Sequence, residues 1–180
     1  LITLATELEG HPDNVAAAFY GGATIAWLES KINSEGESSN VGRAVSLKVD
    51  DRIKALLLVP ENQLSTAKAR KLLPESISHQ DAVLNSSRTA LLVHALAERP
   101  DLLFTATEDL LHQKYREEAM PKSIALVEKL RGAGLAAVVS GAGPSVMVLY
   151  SGAEDEIDQI QSVSPGFTAM KLAIAKTGVQ

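Results

Sequence analysis

Leu135–Tyr150, LAAVVSGAGPSVMVLY, holds two apolar runs, Ala136–Ser140 and Val146–Tyr150, joined across GAGP. Short apolar runs bounded by Gly and Pro read as strands, and the small residues between them read as a tight turn. Working outward, Pro121–Arg131 has helical spacing and is closed by Gly132 and Gly134. His79–Ala97 alternates polar and apolar residues at helical period, and Pro100–Leu111 opens with Pro and Asp, which suit a helix start. Arg52–Val59 is a nearly continuous apolar strand ended by Pro60, and Ser65–Leu72 has helical spacing behind a capping hydroxyl. On the other side, Glu154–Ser162 reads as an acidic helix and Phe167–Ala175 as a last strand. Strand, helices, strand, Gly turn, strand, helix, strand is the order of a split βαβ sheet with helices on one face, an α+β arrangement.

Ahead of this block, Gly22–Leu28 and Arg43–Val49 read as two further strands, separated by the polar stretch KINSEGESSN, an exposed hairpin or loop. Upstream of them lies EGHPDN, Glu9–Asn14, two carboxylates, an imidazole and a carboxamide packed around a Gly and a Pro. A hydrophobic core has no use for such a cluster, which marks a ligand site. Pro12 keeps the backbone at His11 extended or turned, and Asp13 or Asn14 can cap a short apolar helix ended by Gly21 and Gly22.

Composition narrows the function classes. The chain has 180 residues, 46% of them apolar, enough for one compact domain or a small domain with part of another. A net charge of −5 without clustered Lys and Arg argues against nucleic acid as the partner. The longest apolar runs fall far short of a bilayer span, so no membrane partner is expected. With no Cys, disulfides and thiolate metal sites are excluded, and a cytoplasmic location is the natural expectation. Neither an internal repeat nor a low-complexity segment interrupts the chain.

Three further segments carry candidate chemistry. SGAGPS, Ser140–Ser145, lets a backbone approach a ligand closely, and successive N–H groups there can form an anion-binding nest; a plain hairpin turn is the alternative. It is neither a Walker A loop nor a dinucleotide fingerprint. STAKAR, Ser65–Arg70, sets Thr66 and Arg70 on one helical face near a helix start, suited to a carboxylate or phosphate ligand or to a solvated amphipathic helix. In HQKYREEAMP, Arg116 is either a ligand-binding cation or an exposed Arg paired with Glu117 or Glu118.

Taken in order, EGHPDNVAAAFYGG, STAKARKLLP, LLHQKYREEAMP and SGAGPSV resemble the homoserine kinases of the GHMP small-molecule kinase superfamily, over nearly the whole chain. SGAGPS points to the superfamily, and the Asp-Asn pair with the two Arg segments points to the subfamily. The resemblance implies a GHMP N-terminal domain remainder of ribosomal-protein-S5-domain-2-like fold over residues 1–50 and a ferredoxin-like C-terminal domain over 51–180. It implies ATP-dependent phosphorylation of the side-chain hydroxyl of homoserine, a step of threonine biosynthesis, with Mg²⁺ as the metal. His11, Asp13 and Asn14 would line the substrate pocket, Asn14 and Asp13 beside the reacting groups with Thr66 next to the hydroxyl. Arg70 and Arg116 would clamp the substrate carboxylate in the bidentate manner that guanidinium favours. Gly141, Ala142, Gly143 and Ser145 would close on the phosphates. Glu9 is similar to the acidic residue that holds Mg²⁺, with Glu7 a weaker candidate. A homodimer is an expectation of the resemblance, with no residue here that carries it.

One departure stands against these matches. The family's PxxxGLGSSA-type phosphate loop should precede EGHPDN by a few tens of residues and is absent from the sequence. The chain is therefore expected to be a C-terminal part of such a kinase, inactive alone. Two rival readings accompany it: another GHMP kinase, for mevalonate or a sugar, and a noncatalytic ferredoxin-like module that binds an amino acid.

Overall fold

Every second residue of Val146–Tyr150 is buried, and this alternation seats the core of the larger of two units. The computed structural model describes residues 2–32, 38–62, 69, 71–152, 157, 160 and 164–179. In chain order the elements are α1 (Ile2–Glu9), α2 (Asp13–Tyr20), β1 (Ala23–Ile32), β2 (Ser38–Leu47), β3 (Lys54–Pro60) and α3 (His79–Ala97). A 3₁₀ turn at Pro100–Leu102 runs into α4 (Leu103–Ala106), and a second 3₁₀ segment, Lys114–Ala119, precedes α5 (Pro121–Gly132). The chain then forms β4 (Ala136–Val139), β5 (Val146–Tyr150) and β6 (Phe167–Leu172).

The larger unit, Asp50–Ala173, is built on an antiparallel four-stranded sheet of order β4-β5-β3-β6. The first strand of the unit thus lies between its third and its fourth, the split βαβ order expected from the sequence. Cross-strand register places Val148 beside Leu56 and Ala137, and Val146 beside Leu58. Against that face α5 lays Leu126, Val127 and Leu130, whose spacing keeps them on one side of the helix. Full burial of Leu56 or Leu58 contributes about 1.5–3 kcal/mol each. Of the expected acidic helix Glu154–Ser162, only Ile157 and Ile160 are described; both are helical and join this core.

The first unit runs to Val49 and also takes in the stretch from Ile174 onward. Its β1 and β2 pair antiparallel over ten residues each. Helix α1 comes close to β2 because Gly42 has no side chain: a Cβ there would lie 2.3 Å from Thr6 Oγ1. Gly22 N donates to Ala175 O at 2.6 Å and Val179 N to Ala18 O at 2.9 Å, which returns the C-terminal stretch to this unit.

Several boundaries differ from the sequence reading, each for a local reason. Strand β2 starts at Ser38 rather than Arg43, so most of KINSEGESSN outside 33–37 is strand, with Ser30 Oγ donating to Asn40 Oδ1 across the pair at 2.9 Å. Strand β3 waits until Lys54 because Asp50 accepts from Arg52 N and from its guanidinium, holding a turn. Pro100–Leu111 is not one helix. Thr107 Oγ1 donates to Leu103 O at 2.7 Å, closing the last turn, and Asp109 then gathers the N–H groups of Leu111, His112 and Gln113. Strand β6 ends at Leu172, where its pairing with β3 stops, rather than at Ala175. The helix expected over Ser65–Leu72 lies largely outside the described residues; Ala69 within it is helical and buried. Among the described residues no helix is long and apolar enough to cross a membrane.

Candidate functional site

In the first unit, EGHPDN spans the end of one helix and the start of the next. Glu9 is the last residue of α1 and is exposed, and Gly10 N still donates to Thr6 O at 2.7 Å before φ turns to +90°. The bend at 10–12 leads to α2, whose cap is Pro12 with no side-chain cap bond. Asp13 and Asn14 therefore occupy the first helical positions instead of capping, a correction that follows from Pro12 taking a helical ψ of −12°. Asp13 Oδ1 accepts from Asn14 N at 3.0 Å and lies 3.4 Å from His11 Nδ1. An acidic residue in the first turn is favoured by the helix dipole. His11, Asp13 and Asn14 are thus brought together, with Asp13 and Asn14 exposed.

In the second unit, the turn Ser140–Ser145 closes by Ser140 N donating to Ser145 O at 2.8 Å and Gly143 N to Ser140 O at 3.0 Å. The expected run of available N–H groups is therefore shorter than the sequence suggests, because the Gly143 amide is already used inside the turn. Gly141 and Gly143 have φ of +58° and +86°, and Gly143–Pro144 is cis.

Arg116 lies under this turn. Its side chain is buried, and Nη1 donates to Gly141 O at 3.1 Å. The reading of Arg116 as an exposed residue is thereby overturned, since the side chain is buried and reaches a carbonyl 25 residues away. Thr66 and Arg70 lie outside the described residues.

The stretch just ahead of Arg116 in sequence holds a turn that the sequence reading passed over. Asp109 Oδ2 accepts from Gln113 N at 2.6 Å and His112 N at 3.0 Å, and Oδ1 lies 3.0 Å from His112 Nδ1. Burial pushes the Asp109 carboxyl up, but the hydrogen bonds from the His112 ring and from the amides of Gln113 and His112 outweigh it, holding the pKa at about 2. A depressed folded pKa contributes stability above the ordinary carboxylate value, and that stability is lost as pH falls toward the folded value. Asp109→Ala should therefore cost on the order of 2 kcal/mol at neutral pH. In urea unfolding, the gap to the native protein should close between about pH 4 and about pH 2; a gap independent of pH would refute this account. An Asp a few residues ahead of a helical stretch was the available signal for this turn.

Set beside known proteins, residues 87–164 match the family described as GHMP kinases C terminal. That stretch, which holds α5, β4 and β5, is similar to a GHMP kinase C-terminal domain. Over 179 residues, 99% of its length, it is 47% identical to the homoserine kinase of Streptomyces coelicolor, covering 54% of that protein. It is 53% identical over 151 residues to the homoserine kinase of Leifsonia xyli subsp. xyli, covering 84% of this chain and 44% of the relative. Against that of Mycobacterium tuberculosis the identity is 46% over 177 residues, with 98% and 54% covered. The chain spans about half the length of the curated relatives it matches. Among solved structures, a homoserine kinase from Cytophaga hutchinsonii superposes with a TM-score of 0.67 at 22% identity, covering 91% of this chain and 52% of that one. A putative homoserine kinase from Listeria monocytogenes gives 0.62 at 23%, covering 98% and 58%. At such identities these likenesses establish the fold.

Proposed function

We propose that the intact protein carrying this chain transfers the γ-phosphoryl of ATP to the side-chain hydroxyl of L-homoserine, giving O-phospho-L-homoserine in the cytoplasm, as a step of threonine biosynthesis. The observation that carries this reading is the 47% identity to a homoserine kinase over 99% of the chain. His11, Asp13 and Asn14 hold the substrate at the start of α2, where the exposed carboxamide and the first-turn amides orient its polar groups. Thr66 stands beside the hydroxyl. Arg70 and Arg116 bind the substrate carboxylate as charge-assisted donors. The turn Gly141–Ser145, through Gly141, Ala142, Gly143 and Ser145, closes on the phosphates.

Phosphoryl transfer of this kind depends on in-line positioning and charge stabilisation, so no strong base is required; His11 and Asp13 serve as hydrogen-bonding scaffold. Bound Mg²⁺ would neutralise charge on the phosphates. Among the described residues no three His, Cys, Asp or Glu side chains gather into a metal site. Mg²⁺ in such kinases would be held by one protein carboxylate together with substrate oxygens. Glu9 suits that part, because a carboxylate at the negative end of α1 is favoured by a neighbouring cation.

The test is phosphorylation by the intact protein with Mg-ATP and homoserine, mevalonate or galactose as acceptor. Homoserine is expected to be preferred by at least tenfold in kcat/KM. Preference for either other acceptor would overturn the assignment, as would homoserine binding that Mg-ATP neither alters nor consumes, the behaviour of a binding module.

A further inference from the structure

Four side chains upstream of the glycine turn touch it in order. Gln113 Oε1 accepts from Val139 N at 2.8 Å, and Arg116 Nη1 donates to Gly141 O at 3.1 Å. Met120 packs so closely under Gly143 that a Cβ there would fall 2.6 Å from its sulfur, and Ser123 Oγ donates to Pro144 O at 2.5 Å. Backbone hydrogen bonds link the four in steps across the 3₁₀ segment and the start of α5, Arg116 N to Gln113 O, Met120 N to Arg116 O and Ser123 N to Met120 O, and their contacts step along 139, 141, 143 and 144 in the same direction. Ser123 and Met120 are 2% and 3% exposed, so this row is packed against the turn and not lying loosely over it.

The consequence lies in peptide geometry. In a planar trans peptide the carbonyl oxygen and the following amide hydrogen point in opposite directions. Arg116 draws Gly141 O inward, so the N–H of Ala142 is turned outward. Ser123 draws Pro144 O inward, so the N–H of Ser145 is turned outward as well. Gly143 N is consumed by Ser140 O, so it does not compete as a donor. Gln113 anchors the end of β4 from which the turn departs.

We propose that Gln113 and Ser123 are positioning residues that, together with Arg116, aim the Ala142 and Ser145 amides at an oxyanion of the bound substrates. This rests on the homoserine kinase reading for the identity of that oxyanion, a phosphoryl oxygen of ATP or the carboxylate of homoserine. Ser123→Ala and Gln113→Leu remove one hydrogen bond each without touching substrate, while Gln113→Glu keeps an acceptor for Val139 N.

In the intact protein, Ser123→Ala and Gln113→Leu are expected to raise one KM about tenfold with kcat within about twofold, and Gln113→Glu is expected to restore it. A rise in KM for ATP assigns the phosphoryl group, and a rise in KM for homoserine assigns the carboxylate. Both KM values unchanged in folded variants, or Gln113→Glu no better than Gln113→Leu, would overturn the proposal. An independent readout separates it from the kinase reading: the amide resonances of Ala142 and Ser145 on titration with Mg-AMPPNP and with homoserine. Shifts in the native protein that are lost in Ser123→Ala support the aimed amides even if homoserine is not phosphorylated; absence of shifts with both ligands overturns them.

Discussion

Arg116→Met in the intact protein is expected to lower kcat/KM for homoserine by roughly 10- to 150-fold, the range set by losing a hydrogen bond to a charged group worth about 1.5–3 kcal/mol. The side chain is 7% exposed and its guanidinium holds Gly141 O, so the substitution also leaves that carbonyl without its donor. Were Arg116 a surface partner of Glu117 or Glu118, the loss would be worth well under 1 kcal/mol and the rate would hardly change. The split of the effect is as informative as its size. A guanidinium that clamps the ground-state carboxylate affects KM for homoserine with kcat largely kept. A KM for homoserine left intact by Arg116→Met would refute the clamp. Arg116→Lys should recover little, because an ammonium is a point charge without the planar fork that reaches a carbonyl and a ligand together.

Gly143→Ala is expected to destabilise the larger unit by about 2–4 kcal/mol. About 1–2 kcal/mol comes from placing an L side chain at φ +86°, and the remainder from overpacking. The new Cβ would fall 2.6 Å from Met120 Sδ and 3.0 Å from Val139 Cγ1, both in packed surroundings. Gly141→Ala supplies the comparison, because its φ of +58° is also left-handed but a Cβ there meets nothing within 4 Å. It should cost the backbone contribution alone, about 1–2 kcal/mol. Urea midpoints for the two variants therefore separate close approach from conformational strain. Equal losses would show that Met120 yields without cost and that the docking of the turn is loose.

Much of the larger unit was legible because its signals are local. The period of His79–Ala97 and the cap at Ser78, which accepts from Asp81 N at 3.0 Å, give α3 the limits read from sequence. The same holds for β4, β5 and the Gly turn between them, where apolar runs meet small residues. Helix α1 was not foreseen: Leu4, Ala5 and Leu8 do recur at helical spacing, but the helix has only eight residues and the one it buries is the polar Thr6. Pro100–Leu111 misled for the opposite reason. Its residues suit a helix, but Thr107 and Asp109 bond to the backbone more effectively than a further turn would.

For the site, residue types and spacing were enough to single out EGHPDN, SGAGPS and Arg116, since polar and glycine-rich clusters are costly unless they serve a ligand or a turn. Which way those groups face was not available from them. Glu117 and Glu118, adjacent to Arg116, suggest a local partner and an exposed side chain, whereas the buried guanidinium reaches Gly141 O, 25 residues away. Gln113, Met120 and Ser123 look ordinary in a line of text and become a row under the turn once α5 packs on the sheet. Local propensity and pattern are properties of neighbours in sequence and can be read there; the direction of a carbonyl or a buried guanidinium is set by neighbours in space, which packing alone brings together.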